Sequence, residues 1–487
     1  MKNLITAVFL LFSVLYSAQF ISPGNGTVYT LTSLSAAAPT VLVNNGTSYT
    51  MTANITISSG DTLLMNENTT LIMNNGVRLT IAGIYNTTAT ALTVRSPVPT
   101  EFFNGILFEA SSYGTMKNTT LEYGGGIRVL TGNFLMENCI VRYFKSGLVT
   151  GSAISFSTGS PIVKDSQFIE NDLSAFSSAA NATVSATFQN NYLFGNSKSN
   201  TNRPQINMGP AGNDSIKILN NQVMGIRTHT MVGGIAVAAL IGGPNKFRIE
   251  GNTIKDNRYG ITIAGTLSGG YIRNNIIENN DTQGLPLQGG SGIAMNASSG
   301  DVTVISGNQF RGNLWGITLQ NNAQVNLGDD TLGMNSPGQN IFFNNGNGGQ
   351  IYALYNNTPS PVTAKFNCWR ENEQSTPAMV EAVISHQPDD ATLGLVTYTP
   401  FNCGLLRTSE TEGLQFSFYP NPGNGLINLE MEEVGNILIR DASGRVLISK
   451  NVLKGLNEIQ TGLPSGLYYM TVITEKGKST VKLIIKQ

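Results

Sequence analysis

One unit recurs through the middle of this chain: Asn, any residue, an apolar residue, two more, often a second Asn, then Gly and an apolar residue. It is clearest in Gly251-Asn252-Thr253-Ile254-Lys255-Asp256-Asn257-Arg258-Tyr259-Gly260-Ile261. Copies at Asn275 and Asn308 are nearly as clear, and weaker ones begin at Asn118, Asn138, Ser166, Asn191 and Asn221. From Asn118 to Asn308 the chain runs 190 residues in seven steps, a mean near 27. A short β-branched strand between Asn and Gly turns cannot close a core by itself, whereas stacking such units buries one continuous core. Asn suits the turns because it tolerates left-handed geometry and its amide can bond the Asn above and below. The Gly that follows supplies permissive backbone.

This pattern resembles the right-handed parallel β-helix family, from about Thr50 to Phe401. The resemblance implies an all-β solenoid over residues 50–403, preceded by a lead-in and cap over 19–49. Ile55-Thr56-Ile57, Leu79-Thr80-Ile81 and Asn104-Gly105-Ile106 resemble the family's opening coils, and Asn367-Cys368-Trp369 with Leu395 to Phe401 its terminal segment. With strands ~4.8 Å apart, roughly a dozen coils make a rod about 60 Å long. A β-sandwich or propeller fits the irregular spacing and persistent Asn positions less well.

Both ends carry address-like segments. Lys2, the apolar run Leu4 to Tyr16 and the small pair Ser17-Ala18 read as a signal peptide over 1–18. A membrane anchor would need a longer run, and no later segment reaches ~18 consecutive apolar residues. After a polar linker, 404–413, the composition changes. Phe416-Ser417-Phe418-Tyr419-Pro420-Asn421-Pro422, the hairpin turn at Asp441-Ala442-Ser443-Gly444, Gly466-Leu467-Tyr468-Tyr469 and Val481 to Lys486 follow in order. Residues 414–487 thus resemble the type IX secretion C-terminal sorting domain of Bacteroidota, a small β-sandwich. The resemblance implies recognition by the type IX translocon and sortase, and a protein that is secreted or attached to the outer surface.

Charged residues are only 12% of the chain, and Lys+Arg 29 nearly balances Asp+Glu 30, so no basic footprint for nucleic acid exists. His229 and His386 are the only histidines and lie far apart in sequence, which makes a His-rich zinc site or a Ser-His-Asp triad unattractive. Of three cysteines at least one stays outside any intramolecular pair. Cys368 and Cys403 flank the end of the repeats and are a possible disulfide; Cys139 reads as a small buried side chain.

Two constellations are candidate sites. Lys255, Glu278 and Arg311 occupy the same repeat position on successive coils, alternate in sign and should face outward; the plain reading is a surface ladder of weak ion pairs. Glu250 and Arg273 also align. Second, the Gly-apolar register leaves Asp281 to Ser291 as an insertion at a turn, where solenoids project loops that bind. Its neighbours are Arg258-Tyr259 and Leu314-Trp315. Arg258, Tyr259, Asp281, Gln283 and Trp315 are therefore the candidate glycan-binding set, since aromatic faces beside polar groups stack on and hydrogen-bond sugars. The competing reading packs both aromatics under the loop as a satellite core. Asp61-Thr62-Leu63, Asp214-Ser215-Ile216 and Asp330-Thr331-Leu332 resemble the Bacteroidota O-glycosylation motif.

The β-helix family often acts on polysaccharides, but its hydrolases' paired-Asp and Gly-His-Gly segments are missing: Asp329-Asp330 and Asp389-Asp390 stand alone. Isolated candidates for an acid-base set exist but form no signature, so the catalytic residues stay unassigned, and no metal site or cofactor is expected. The first reading is a non-catalytic, adhesin-like β-helix that engages polysaccharide or a surface glycan. The alternatives are a polysaccharide lyase or glycoside hydrolase, with calcium only in the lyase case, and a structural surface stalk.

Overall fold

Residues 19–145, 151–212, 214–285, 290–298, 301–330, 336–403, 416–441, 445–474 and 477–486 are described by a computed structural model. The expected signal segment 1–18, the linker 404–413, and residues 331–332 and 442–444 of the motifs named above lie outside the described residues. The chain forms two units, Met1–Cys403 and Gly404–Gln487.

In the first unit each coil visits three sheets in turn, A, B and C. A representative coil runs Gly233–Ala239 in sheet A, Asn245–Glu250 in sheet B and Thr253–Lys255 in sheet C. Ile261–Thr266 then returns to sheet A, parallel to its predecessor, with Ile261 beside Ile235. Among the described residues sheets A and B hold 14 strands each and sheet C 13. Strand alternation sends every second side chain inward: Ile235, Val237, Phe247, Ile249 and Ile254 are all 0% exposed. This is the expected parallel β-helix. The lead-in supplies strands to it as well: Phe20–Ile21 pairs with Ile55–Ile57 in sheet A, and Val28–Tyr29 with Thr62–Met65 in sheet B. The helix Leu31–Ala37 buries Leu31 and Leu34 against the core and caps that end.

The turn from sheet B to sheet C needs only two residues, and Asn serves at both for different reasons. The first is left-handed: Asn118, Asn138, Asp165, Asn190, Asn220 and Asn274 have φ between 48° and 56°. The second is a buried ladder through Asn191, Asn221, Asn252, Asn275, Asn308, Asn340 and Asn367. From Asn221 on, each Oδ1 accepts the backbone N–H and the Nδ2 of the rung before; for Asn252 onto Asn275 both distances are 2.9 Å. The expected repeat starts at Asn118 and Asn138 are therefore one residue out of register. They occupy the left-handed position, and the ladder slots are Thr119 and Cys139. Cys139 N–H donates to Ser166 Oγ at 3.0 Å, and burial pushes the Cys139 thiol up to about 12.

A second ladder, Asn171, Asn196, Asn257, Asn280, Asn313 and Asn345, follows sheet C. The coil at Gln222–Met224 has no Asn for its slot. Gln205 reaches in from sheet A instead, accepting from Asn196 Nδ2 at 3.1 Å and donating to Asn257 Oδ1 at 3.0 Å. At the C-terminal end Phe310, Phe342 and Trp369 stack inside the core with centroids 4.9 and 5.1 Å apart. Cys368 and Cys403 are joined as a disulfide.

The second unit is a small β-sandwich. Phe416–Tyr419, Leu426–Met431 and Gly455–Gln460 form one antiparallel sheet; Gly435–Arg440, Val446–Val452, Gly466–Thr474 and Gly477–Ile485 form the other. Ile427, Leu429, Ile437, Ile439, Met470, Val472 and Leu483 fill the space between.

Candidate functional site

The charged coil face is closed on itself. Lys255, Glu278 and Arg311 are partners on adjacent strands. Glu278 lies 3.8 Å from Lys255 and 3.2 Å from Arg311. Arg311 also forks onto both oxygens of Glu371 at 2.7 Å, and this bond to Glu371 raises its pKa. Glu250 and Arg273 align too. Glu250 nevertheless pairs with Arg248 at 2.8 Å, and Arg273 lies over the Tyr271 ring at 4.1 Å.

The insertion behaves differently from a free loop. Ser291 belongs to the strand Ser291–Ser298, opposite Trp315, with its hydroxyl 2.7 Å from Thr318, so the insertion ends at Gly290. Residues 286–289 lie outside the described set. Asp281 sits 2.9 Å from Arg227, whose guanidinium also bonds Asp256 at 3.1 Å. Thr282 Oγ1 donates to Thr230 O at 3.3 Å, and Gln283 Nε2 meets Met231 Sδ at 3.1 Å. The loop thus reaches over the short turn Asn257 to Gly260 and clasps the loop around 227–231. What lies at that turn is withdrawn: Arg258 is 6% exposed and bonds Asn202. Tyr259 packs its ring against Gly233, and burial pushes its hydroxyl up to about 12.

Trp315 turns the other way. Its ring stacks on Tyr355 with centroids 4.6 Å apart and meets Tyr352 edge-on at 5.2 Å. All three side chains are half-buried, so the cluster keeps aromatic surface toward solvent. Burial and then the nearby Asp389 carboxylate raise the Tyr352 pKa. The five residues expected as one glycan-binding set are therefore divided. Arg258, Tyr259, Asp281 and Gln283 knit turns together, while Trp315 joins two tyrosines from the next coil. Tyr352 and Tyr355 escaped the sequence reading because Gly316-Ile317 is answered on that coil by Ala353-Leu354, without the marker Gly.

His386 is engaged by the fold. His386 is 2% exposed; its Nδ1 accepts from Val396 N–H at 3.0 Å, so Nε2 carries the proton toward Glu381 at 2.9 Å. That imidazole holds the last strand of sheet B and has no nitrogen left for a substrate. Among the described residues no group of three or more His, Cys, Asp or Glu side chains is placed to hold a metal ion.

The second unit decides what the chain is exported by. Residues 417–486 match the family model of the secretion system C-terminal sorting domain. This chain is a type IX secretion substrate. The sorting domain is the part the type IX machinery reads, and its cargo, the β-helix, reaches the cell surface or the medium. Among the described residues no helix is long and apolar enough to cross a membrane. Comparison with curated proteins and with solved structures gives no match for the chain.

Proposed function

We propose that the β-helix is a non-catalytic, adhesin-like passenger that binds extracellular glycan. The observation that carries this reading is the half-exposed cluster of Trp315, Tyr352 and Tyr355 on adjacent coils. Rings held by one another present apolar faces with little side-chain entropy left to lose, which suits stacking on the C–H face of a sugar. The pairing of Lys255, Glu278, Arg311 and Glu371, and the use of both His386 nitrogens in the fold, support binding over turnover.

The test is a glycan array probed with the secreted protein and with Trp315→Ala and Tyr355→Ala. Each variant should lose at least about tenfold in apparent affinity, ~1.4 kcal/mol, while melting as a folded rod. Array signals unchanged in both variants would sink the proposal.

A further inference from the structure

The outer face of sheet B changes character toward its C-terminal end. One column of outward positions runs Lys217, Arg248, Tyr271, Val304, Asn326, Thr363, Thr397 across successive strands. In the middle coils long side chains cover that face: Lys217 pairs with Asp214, Arg248 with Glu250, and Arg273 lies over Tyr271. From Asn326 onward the column holds only short polar residues. The parallel ladder continues beneath, with a register shift between Asn326 and Gly328, and the shorter side chains leave a groove of about 660 Å³. Asp329-Asp330 line it after one strand, Ser360-Pro361 before the next, and Gln324 and Val302 at the near end.

We propose that this groove is a second ligand site, for an uncharged, hydroxyl-rich chain such as a neutral oligosaccharide. Its lining offers hydrogen-bonding groups at strand spacing, ~4.8 Å, a step comparable to one pyranose ring. Asn326 is held by accepting Gly328 N–H at 2.9 Å and by donating to Asp329, so its amide is fixed before any ligand arrives. Thr363 and Thr397 continue the row. Val302, 39% exposed, and Pro361 add apolar patches of the kind that meet sugar C–H groups.

The charges decide the class of ligand. Lys365, the one cation among the described lining residues, lies 2.8 and 2.9 Å from the two oxygens of Asp330, and the ammonium holds that carboxyl below its usual range. Counting Asp329 and Asp330 against Lys365, the lining residues sum to a net charge of −1. A polyuronate or sulfated chain would meet repulsion from that lining. A bare divalent ion would have to compete with the Lys365 ammonium for Asp330. The site is distinct from the aromatic cluster, which stands on sheet A, and does not depend on it.

Calorimetric titration of the full-length secreted protein tests this with cellohexaose, xylohexaose and mannohexaose, with hexagalacturonate, and with calcium chloride alone. At least one neutral hexamer should bind. Thr363→Arg, which fills the groove, should weaken that binding by at least tenfold, and Gln324→Ala, which only trims it, by a smaller factor in the same direction. Lys217→Ala, at the other end of the column, should leave it unchanged. If no neutral hexamer binds, or if hexagalacturonate or calcium is the ligand lost on Thr363→Arg, the inference is overturned. Neutral binding kept in both groove variants overturns it too; if that binding is lost on Trp315→Ala, the aromatic-cluster proposal stands without the groove. Unchanged melting of Gln324→Ala separates lost binding from lost fold.

Discussion

Asn275→Ala is the sharpest probe of how this rod is held together. Asn275 Nδ2 donates to Ile249 O at 2.8 Å and to Asn308 Oδ1 at 2.9 Å, and its Oδ1 accepts from Asn252 N and Nδ2 at 2.9 Å each. Alanine removes all four bonds at a site that is 0% exposed. Asn308 Oδ1 keeps the Asn275 backbone N–H, and Asn252 Nδ2 keeps Ile218 O. The Asn252 backbone N–H loses the acceptor it has here. A buried unsatisfied group costs ~1–3 kcal/mol and each weakened bond ~0.5–1.5, so the expected loss is about 3–5 kcal/mol. The neighbouring Asn274→Gly supplies the control. Asn274 has φ 55°, and Gly251 and Gly307 already occupy that turn position one coil to either side, so the change should stay within about 1 kcal/mol. Urea unfolding followed by circular dichroism compares the two, with hydrogen exchange of the Asn252 amide as the local readout. If Asn275→Ala shifted stability no more than Asn274→Gly, the ladder would be decoration and not structure.

Other expectations follow from single contacts. Asp61 is fully buried and accepts Gly24, Gly26 and Thr27 N–H groups at 2.7, 3.0 and 2.9 Å. Burial opposes its ionisation, but bonds from Ser22 and these amides outweigh that and lower its pKa. A lowered carboxyl stabilises above the ordinary value of ~3.9 and stops doing so as pH falls through the folded value. Protection of the Gly24, Gly26 and Thr27 amides against exchange should therefore fall below about pH 4, more than that of Ile57; uniform behaviour would refute the latch. Cys403→Ser opens a loop of 35 residues and should lower stability by about 3–4 kcal/mol, measured against the oxidised parent. Arg311→Ala, losing Glu371 and Glu278, should cost ~1 kcal/mol, whereas Lys255→Ala, at 3.8 Å from Glu278, should cost no more than about 0.5; the reverse order in melting would show that the coil face is not organised around Arg311.

The sequence revealed the solenoid because its turns demand residue types that little else demands. It was less able to say which turn position each Asn fills. Left-handed backbone and a buried amide ladder favour the same residue at adjacent positions. Where Thr119 or Cys139 takes the ladder slot, the only Asn in sight is the left-handed one before it, Asn118 or Asn138, and the repeat is read one residue early. Gln205 was invisible for a related reason, since it fills a slot from a different sheet than the one whose pattern lacks an Asn. The candidate site was legible in part. The insertion and Trp315 stand out from the repeat, but which way each side chain leans depends on its neighbours' loops. The loop around 227–231 captures Asp281 and Gln283, and Tyr352 and Tyr355 capture Trp315. Such partners sit 37 to 54 residues away in sequence and follow no fixed spacing.

The most direct test of the account is a single incubation with two readouts. The secreted protein is mixed with acidic and neutral polysaccharides, with and without calcium, and both bound glycan and newly formed chain ends are quantified. Binding of at least one polysaccharide without any new reducing or unsaturated ends is the predicted result. Product that accumulates with time and with protein concentration would contradict it, and would make the β-helix a catalyst.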